Sequence, residues 1–335
     1  MIKIKDIEFY LPDNIVTNED LKKENSTWDM DLVKERSGVE KRHIARNNET
    51  ALDLSFEACN KLFSKNKNAK KQIDGIIFCT QSEDYIMPPN SCLLHKMLDL
   101  PEDVFSFDFN LACSGYIYGL ALAQGLVHSA IAQNILLVNA DTYSKYINKH
   151  DRSARVLFGD GAAVTWVTKS NSIQGLIDIQ CSTSGKGYEK FIIPAGGCRM
   201  PKSKATTVSK VDKSKNIRTL ENIHMDGMGI LVFVNSKVPK QIRCILKRNS
   251  MTIDDIDLFV FHQASKLALD SLTRLLKINP EKVFNNIQEI GNTVSASIPI
   301  ALKDALNGKK INQGEKVLLS GFGVGLSWGT AIIQF

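Results

Sequence analysis

Three residues carry chemistry that this chain could perform: Cys113 in "NLACSGY" (110–116), His262 in "FHQAS" (261–265) and Asn292 in "GNTVSASIP" (291–299). A lone cysteine is more often a buried apolar side chain than a nucleophile. Cys113, however, stands where an apolar run ends and a helical pattern begins, among the small residues Ala112, Ser114 and Gly115. A helix N-terminus presents unpaired N–H groups and a partial positive charge, and both lower a thiol pKa. Small neighbours let an acyl donor approach, so the segment suits a thiol that forms a thioester. Asn292 exchanges no proton near neutral pH. His262 and Asn292 at one mouth therefore read as two hydrogen-bond donors converging on one oxygen. Such donors stabilise an enolate or oxyanion by roughly 2.7–4 kcal/mol each. Decarboxylation of a malonyl thioester creates an enolate without a base, and that enolate can attack an acyl-cysteine. The glycine-rich "SGFGVGLSWG" (320–329) reads either as a tight turn or as backbone brought against the nucleophile to donate an N–H. "FGDGAAV" (158–164) lacks the Walker spacing and lysine and reads as packing.

Elements that would position these residues are visible as apolar, β-branched runs: 74–80, 134–141, 257–263 and 316–323 read as buried strands, and 1–14 reads as a further strand. Amphipathic stretches at 115–132 and 266–278 read as helices. Strand alternating with helix implies a mostly parallel sheet covered on both faces. The chain also repeats itself: 73–82 aligns with 256–265, 104–126 with 283–306, and 134–141 with 316–323. This predicts two similar halves, 1–170 and 171–335, packed about a pseudo-symmetry axis. In that alignment Cys113 and Asn292 are equivalent, each at a helix start, and His262 lies at the C-terminal end of a strand, where α/β sheets bind ligands.

The chain has 335 residues, 43% of them apolar and 23% charged, an ordinary globular composition. No apolar run reaches the roughly 18 residues of a membrane span, and charges interrupt the first apolar run, which excludes a signal peptide. Seven cysteines without metal-like spacing point to a reducing, cytoplasmic setting and to no metal site. The net charge of +6, much of it in the lysine-rich 202–215 segment, reads as solvated surface or as a basic face for an acidic partner. Aromatics at 7% without basic-aromatic interleaving argue against nucleic acid.

These segments, together with "ERSGVEKRHIA" (35–45), "RVLFGDGAA" (155–163) and the terminal "GFGVGLSWGTA" (321–331), resemble the ketoacyl-acyl carrier protein synthase III family of the thiolase superfamily, in order and over nearly the whole chain. The resemblance implies a five-layered αβαβα thiolase-like fold, a homodimer, no cofactor, and condensation of an acyl thioester primer with malonyl-acyl carrier protein in fatty acid biosynthesis. It makes Cys113 the nucleophile and His262 and Asn292 the donors to the malonyl thioester carbonyl. It also implies a pantetheine tunnel whose mouth carries Arg36 and Arg152, and substrate-binding positions at Met87, Phe158 and Val324. The chain departs from the family pattern at Leu32, where the family has a tryptophan (the nearest here is Trp28), at Ser265, and at Val324 inside a glycine triplet. Leu32 cannot stack on adenine, so acyl-carrier protein rather than acyl-coenzyme A is the expected primer carrier, with Lys266 and Arg274 as its basic contacts. Together with Met87 at the acyl pocket, these departures suggest a specialised paralogue. Two alternatives share the scaffold: an acyltransferase or thioesterase that uses Cys113 without making a carbon–carbon bond, and an inactive partner subunit.

Overall fold

The computed structural model describes residues 1–172 and 174–335. Strands β1 (Ile2–Tyr10), β2 (Gly75–Cys79), β3 (Phe105–Phe109), β4 (Asn134–Asp141) and β5 (Gly161–Lys169) form one sheet in the order β1-β5-β4-β2-β3. Strands β6 (Gly175–Thr183), β7 (Leu258–Phe261), β8 (Lys316–Gly323) and β9 (Ser327–Gln334) form a second in the order β6-β9-β8-β7. A parallel bridge from Phe259 to Val283 stands beyond β7 where the first sheet has β3. Strand senses match: each sheet has two antiparallel pairings followed by parallel ones. All five residues of β2 are buried, as an apolar strand covered on both faces must be.

Six helices complete the layers. α1 (Ala51–Lys65) and α2 (Asn90–Met97) cover the outer face of the first sheet through Ile76, Phe78, Leu136 and Val138. α3 (Gly115–His128) and α6 (Ser297–Asn307) lie between the sheets. Their Ile117, Leu120, Ala301 and Leu302 share one cluster with Ile77 and Leu137 of the first sheet and Val260 and Leu319 of the second. α4 (Gly227–Arg248) and α5 (Lys266–Leu276) cover the outer face of the second sheet against Phe259, Phe261, Leu318 and Ile332. The layers run helix, sheet, helix, sheet, helix, the αβαβα order. Truncating a central contact such as Leu120 to alanine costs about 2–5 kcal/mol.

The two halves are related in a register that differs from the one residue counting predicts. A single turn, Ala112–Ser114, precedes α3, and its counterpart Val294–Ala296 precedes α6. Ala112 (φ 40°) and Val294 (φ 53°) both hold the left-handed conformation, which is strained for any residue with a Cβ and most for a branched one. Cys113 is thus equivalent to Ser295, and Asn292 to Asn110. The second half inserts a short helix, Ile287–Ile290, ahead of this turn, so counting from Val283 lands on Asn292 instead. Asn292 therefore lies in the loop before the turn and not at a helix start.

Candidate active site

Cys113 sits two residues ahead of α3, buried, with its main chain pressed against the end of β8. A Cβ on Gly323 would lie 3.0 Å from Cys113 Sγ, and one on Gly321 would lie 2.6 Å from its carbonyl oxygen. Only glycine permits this approach, so the glycine-rich segment acts as close backbone and not merely as a turn. Ser114 Oγ and Ser327 Oγ, 2.7 Å apart, tie the two loops together. Sequence spacing predicts a lowered thiol pKa. In the structure burial, and then the Asp141 carboxylate, push the Cys113 thiol up. The thiol therefore keeps its proton at ordinary pH.

The half-to-half relationship places Asp141 where the second half has Gly323. Asp141 accepts from Ser295 N (3.2 Å), Ser295 Oγ (2.5 Å) and Gln81 N (2.7 Å). Burial pushes its carboxyl up to about 7 despite these bonds.

His262 follows β7 and donates its backbone N–H to Ser320 O (2.8 Å). Its ring meets Phe322 edge-on at 5.6 Å, and Nδ1 lies 2.6 Å from Ser297 Oγ on the first turn of α6. Burial lowers its pKa to about 3, so the imidazole is neutral at ordinary pH and is suited to donating a hydrogen bond rather than a proton. Asn292 is held by backbone bonds to Leu157 O (2.9 Å) and from Gly159 N (3.0 Å). Its Oδ1 accepts from Val294 N (3.0 Å), and this turns Nδ2 towards Ala264 O (3.4 Å). Gly159 is a packing glycine: a Cβ there would lie 2.6 Å from Ile290 O.

Cys113, His262 and Asn292 line one cavity of about 130 Å3 together with Phe158, Phe191, Phe322 and Gly323. Leu157, Met225, Gly227, Ser265 and Leu267 continue from it into an outer cavity of about 380 Å3 that Leu32, Arg36 and Arg152 also line. A passage thus leads from the two arginines to the thiol. Among the described residues Arg36 and Arg152 have no ion-pair partner, while Lys266 pairs with Asp270. Arg274 lines a separate groove with Asp254 and Asp270 and does not face the mouth. Trp28 packs on Leu21, Met30 and Val156 and does not line the passage.

Val324 has no left-handed backbone, so its branched side chain is tolerated there; it lines a second cavity beyond Phe191. Met87 is 79% exposed beside Tyr85 and Ile86 and lines neither cavity of its own chain. Sequence reasoning missed Ser297, Asp141 and Tyr143. Ser297 lies inside the "GNTVSASIP" segment already singled out, but its position at a helix start suggests a cap rather than a histidine partner.

A family model described as 3-Oxoacyl-[acyl-carrier-protein (ACP)] synthase III matches residues 107–185, and the model of that synthase's C terminal part matches residues 246–335. Beta-ketoacyl-[acyl-carrier-protein] synthase III of Campylobacter fetus subsp. fetus (strain 82-40) is 36% identical over 327 residues, which cover 97% of this chain and 96% of that protein. The chain belongs to the 3-oxoacyl-[acyl-carrier-protein] synthase III family. The protein of the same name from Campylobacter curvus (strain 525.92) is 37% identical over 330 residues, covering 98% of this chain and 95% of the relative. A crystal structure of a 3-oxoacyl-(acyl-carrier-protein) synthase III superposes with a TM-score of 0.97 at 37% identity, covering 100% of this chain and 99% of the other. As a synthase III this chain has the thiolase fold and is an acyltransferase of the condensing type. Membership favours condensation over the acyltransferase-only and thioesterase alternatives. No helix among the described residues is long and apolar enough to cross a membrane.

Proposed function

We propose that this enzyme joins an acyl primer to malonyl-acyl carrier protein through an acyl-Cys113 intermediate, releasing carbon dioxide and 3-oxoacyl-acyl carrier protein. The observation that carries the reading is the convergence of a buried thiol, a neutral imidazole and an oriented carboxamide on one cavity reached by a basic-mouthed passage.

In the loading half-reaction Cys113 Sγ bonds to the thioester carbonyl carbon. The carrier's carbon–sulfur bond breaks, and the thiol proton leaves with the carrier sulfur. The tetrahedral oxyanion takes hydrogen bonds from backbone N–H groups at Cys113 and Val324, where Gly323 lets the two chains approach. In the second half-reaction the malonyl thioester loses carbon dioxide, and the electron pair of the broken bond becomes an enolate. Its oxygen accepts from His262 Nε2–H and Asn292 Nδ2–H. Ser297 Oγ–H donates to Nδ1 and thereby selects the Nε2–H tautomer. The enolate carbon then bonds to the acyl carbon, the carbon–sulfur bond to Cys113 breaks, and the thiolate takes a proton from solvent.

Arg36 and Arg152 are suited to the phosphates of the carrier. The exposed Tyr85, Ile86 and Met87 support a homodimer in which each chain's Met87 closes the other's primer pocket. A cytoplasmic setting fits the cysteine content, and a specialised pathway fits the changes at Leu32 and Val324. Intact-protein mass spectrometry after incubation with acyl thioesters tests the intermediate. Wild type gains one acyl mass and Cys113→Ala gains none; an adduct of equal yield on the alanine variant overturns the assignment.

A further inference from the structure

Beyond the aromatic trio Tyr143, Phe158 and Phe191, whose ring centroids lie 5.3–6.1 Å apart, a second cavity of about 270 Å3 opens. Phe191 lines both it and the Cys113 cavity, and Val324, which lines it, directly follows the Gly323 that abuts Cys113 Sγ. The second cavity therefore adjoins that of the thiol across Phe191. One wall is apolar (Phe191, Ile223, Val324); the other is polar. Tyr143 O–H donates to Gln81 Oε1, and Gln81 Nε2 donates to Asn110 Oδ1. That relay occupies one donor and one acceptor of Gln81 and leaves Asn110 Nδ2 free of the bond that its Oδ1 accepts. Among the described residues Asn110 Nδ2, the Tyr146 hydroxyl and the Glu83 carboxylate have no hydrogen-bond partner, and all three residues line the cavity. Burial and the neighbouring Glu83 push the Tyr146 phenol up to about 12, so it remains a donor.

We propose that the primer is a short hydroxyacyl group, its hydroxyl bonded by Asn110, Tyr146 and Glu83. A hydroxyl donates and accepts at once, matching two donors and a carboxylate; a primer ending in a carboxylate would meet Glu83 with like charge. The proposal rests on the acyl-Cys113 reading and names its substrate class. Tyr146 is half-buried while Asn110 and Glu83 are exposed, so the analogue lacking the hydroxyl forgoes these bonds without stranding a fully buried group, and the discrimination is that of one or two hydrogen bonds.

The test measures Cys113 acylation rates with acetyl, butyryl, 3-hydroxybutyryl and 4-hydroxybutyryl thioesters on one carrier. At least one hydroxybutyryl thioester is expected to load about tenfold or more faster than butyryl. Tyr146→Phe and Asn110→Leu are expected to bring that ratio towards one. Because the ratio is read within each variant, loss of folded protein cancels. Butyryl or acetyl loading as fast as both hydroxyacyl thioesters overturns the proposal and leaves the condensing reading standing. A ratio unchanged in both variants overturns the assigned contacts and the proposal with them. No acylation by any of the four overturns the acyl-Cys113 reading itself.

Discussion

Ser297 Oγ lies 2.6 Å from Nδ1 of His262, so the first turn of α6 touches the residue that follows β7. In the proposed mechanism Ser297 Oγ–H donates across this contact to Nδ1, which leaves the ring proton on Nε2. Ser297→Ala should leave Cys113 acylation near wild type and slow malonyl decarboxylation about tenfold. That is less than the hundredfold or more for losing a direct donor. Ser297→Thr, which restores the hydroxyl, should recover most of the rate. Equal loss in both half-reactions would mark a structural role only.

Gly323 and Cys113 Sγ define a contact with no room for a methyl group. Gly323→Ala should cut Cys113 acylation by at least tenfold while the folded fraction at 25 °C stays near wild type. The new Cβ presses only on the Cys113 side chain, at 2.9 Å from its Cβ and 3.0 Å from its Sγ. Gly321→Ala, whose Cβ would strike the Cys113 carbonyl at 2.6 Å, should instead lower the melting temperature. Thermal melts and mass-spectrometric loading assays separate the two outcomes.

Asp141 predicts a pH signature. Its folded pKa, about 7, exceeds the roughly 3.9 of an unfolded aspartate, so the folded chain holds the proton more tightly. Its contribution to stability is full below about pH 4 and is lost as pH rises through about 7. Asp141→Asn should therefore gain stability relative to wild type across that window and level off above it. Asp160, raised to about 6, acts in the same direction, and His262, lowered to about 3, acts oppositely; both are common to the two proteins. Denaturant unfolding from pH 4.5 to 8.5 reads the difference, and a flat difference contradicts the buried-carboxyl account.

Carrier choice follows from the mouth. Leu32 offers no ring, and Trp28 is packed on Leu21, Met30 and Val156. Acyl-carrier protein should load Cys113 faster than the matching acyl-coenzyme A, by a margin that shrinks with salt. Leu32→Trp should improve coenzyme A loading by about five- to a hundredfold, the worth of one stacked base. Loading rates at low and high salt check both; a coenzyme A preference at both salts contradicts them.

Much of this arrangement was legible in the chain. Strands β2, β4, β7 and β8 announced themselves as apolar runs because they are buried on both faces. The order of motifs exposed the duplication. Cys113, His262 and Asn292 stood out because each sits beside small or glycine residues in a short segment. What was not legible depends on the meeting of the halves. The Ile287–Ile290 insertion hid the true pairing of Cys113 with Ser295. Asp141 reaches Ser295 across 154 positions and Tyr143 reaches Gln81 across 62, and no local pattern encodes either contact. Burial overrode the helix-start effect on the thiol.

The most direct test follows the fate of the acyl group in a single turnover. Enzyme pre-loaded on Cys113 is mixed with malonyl-acyl carrier protein, and both proteins are weighed by mass spectrometry. Wild type should lose its acyl mass as the carrier changes from malonyl to 3-oxoacyl. His262→Ala and Asn292→Ala should keep the acyl mass at least a hundredfold longer. Discharge of Cys113 to free acid without a new mass on the carrier, or undiminished discharge in both variants, would contradict condensation at this site.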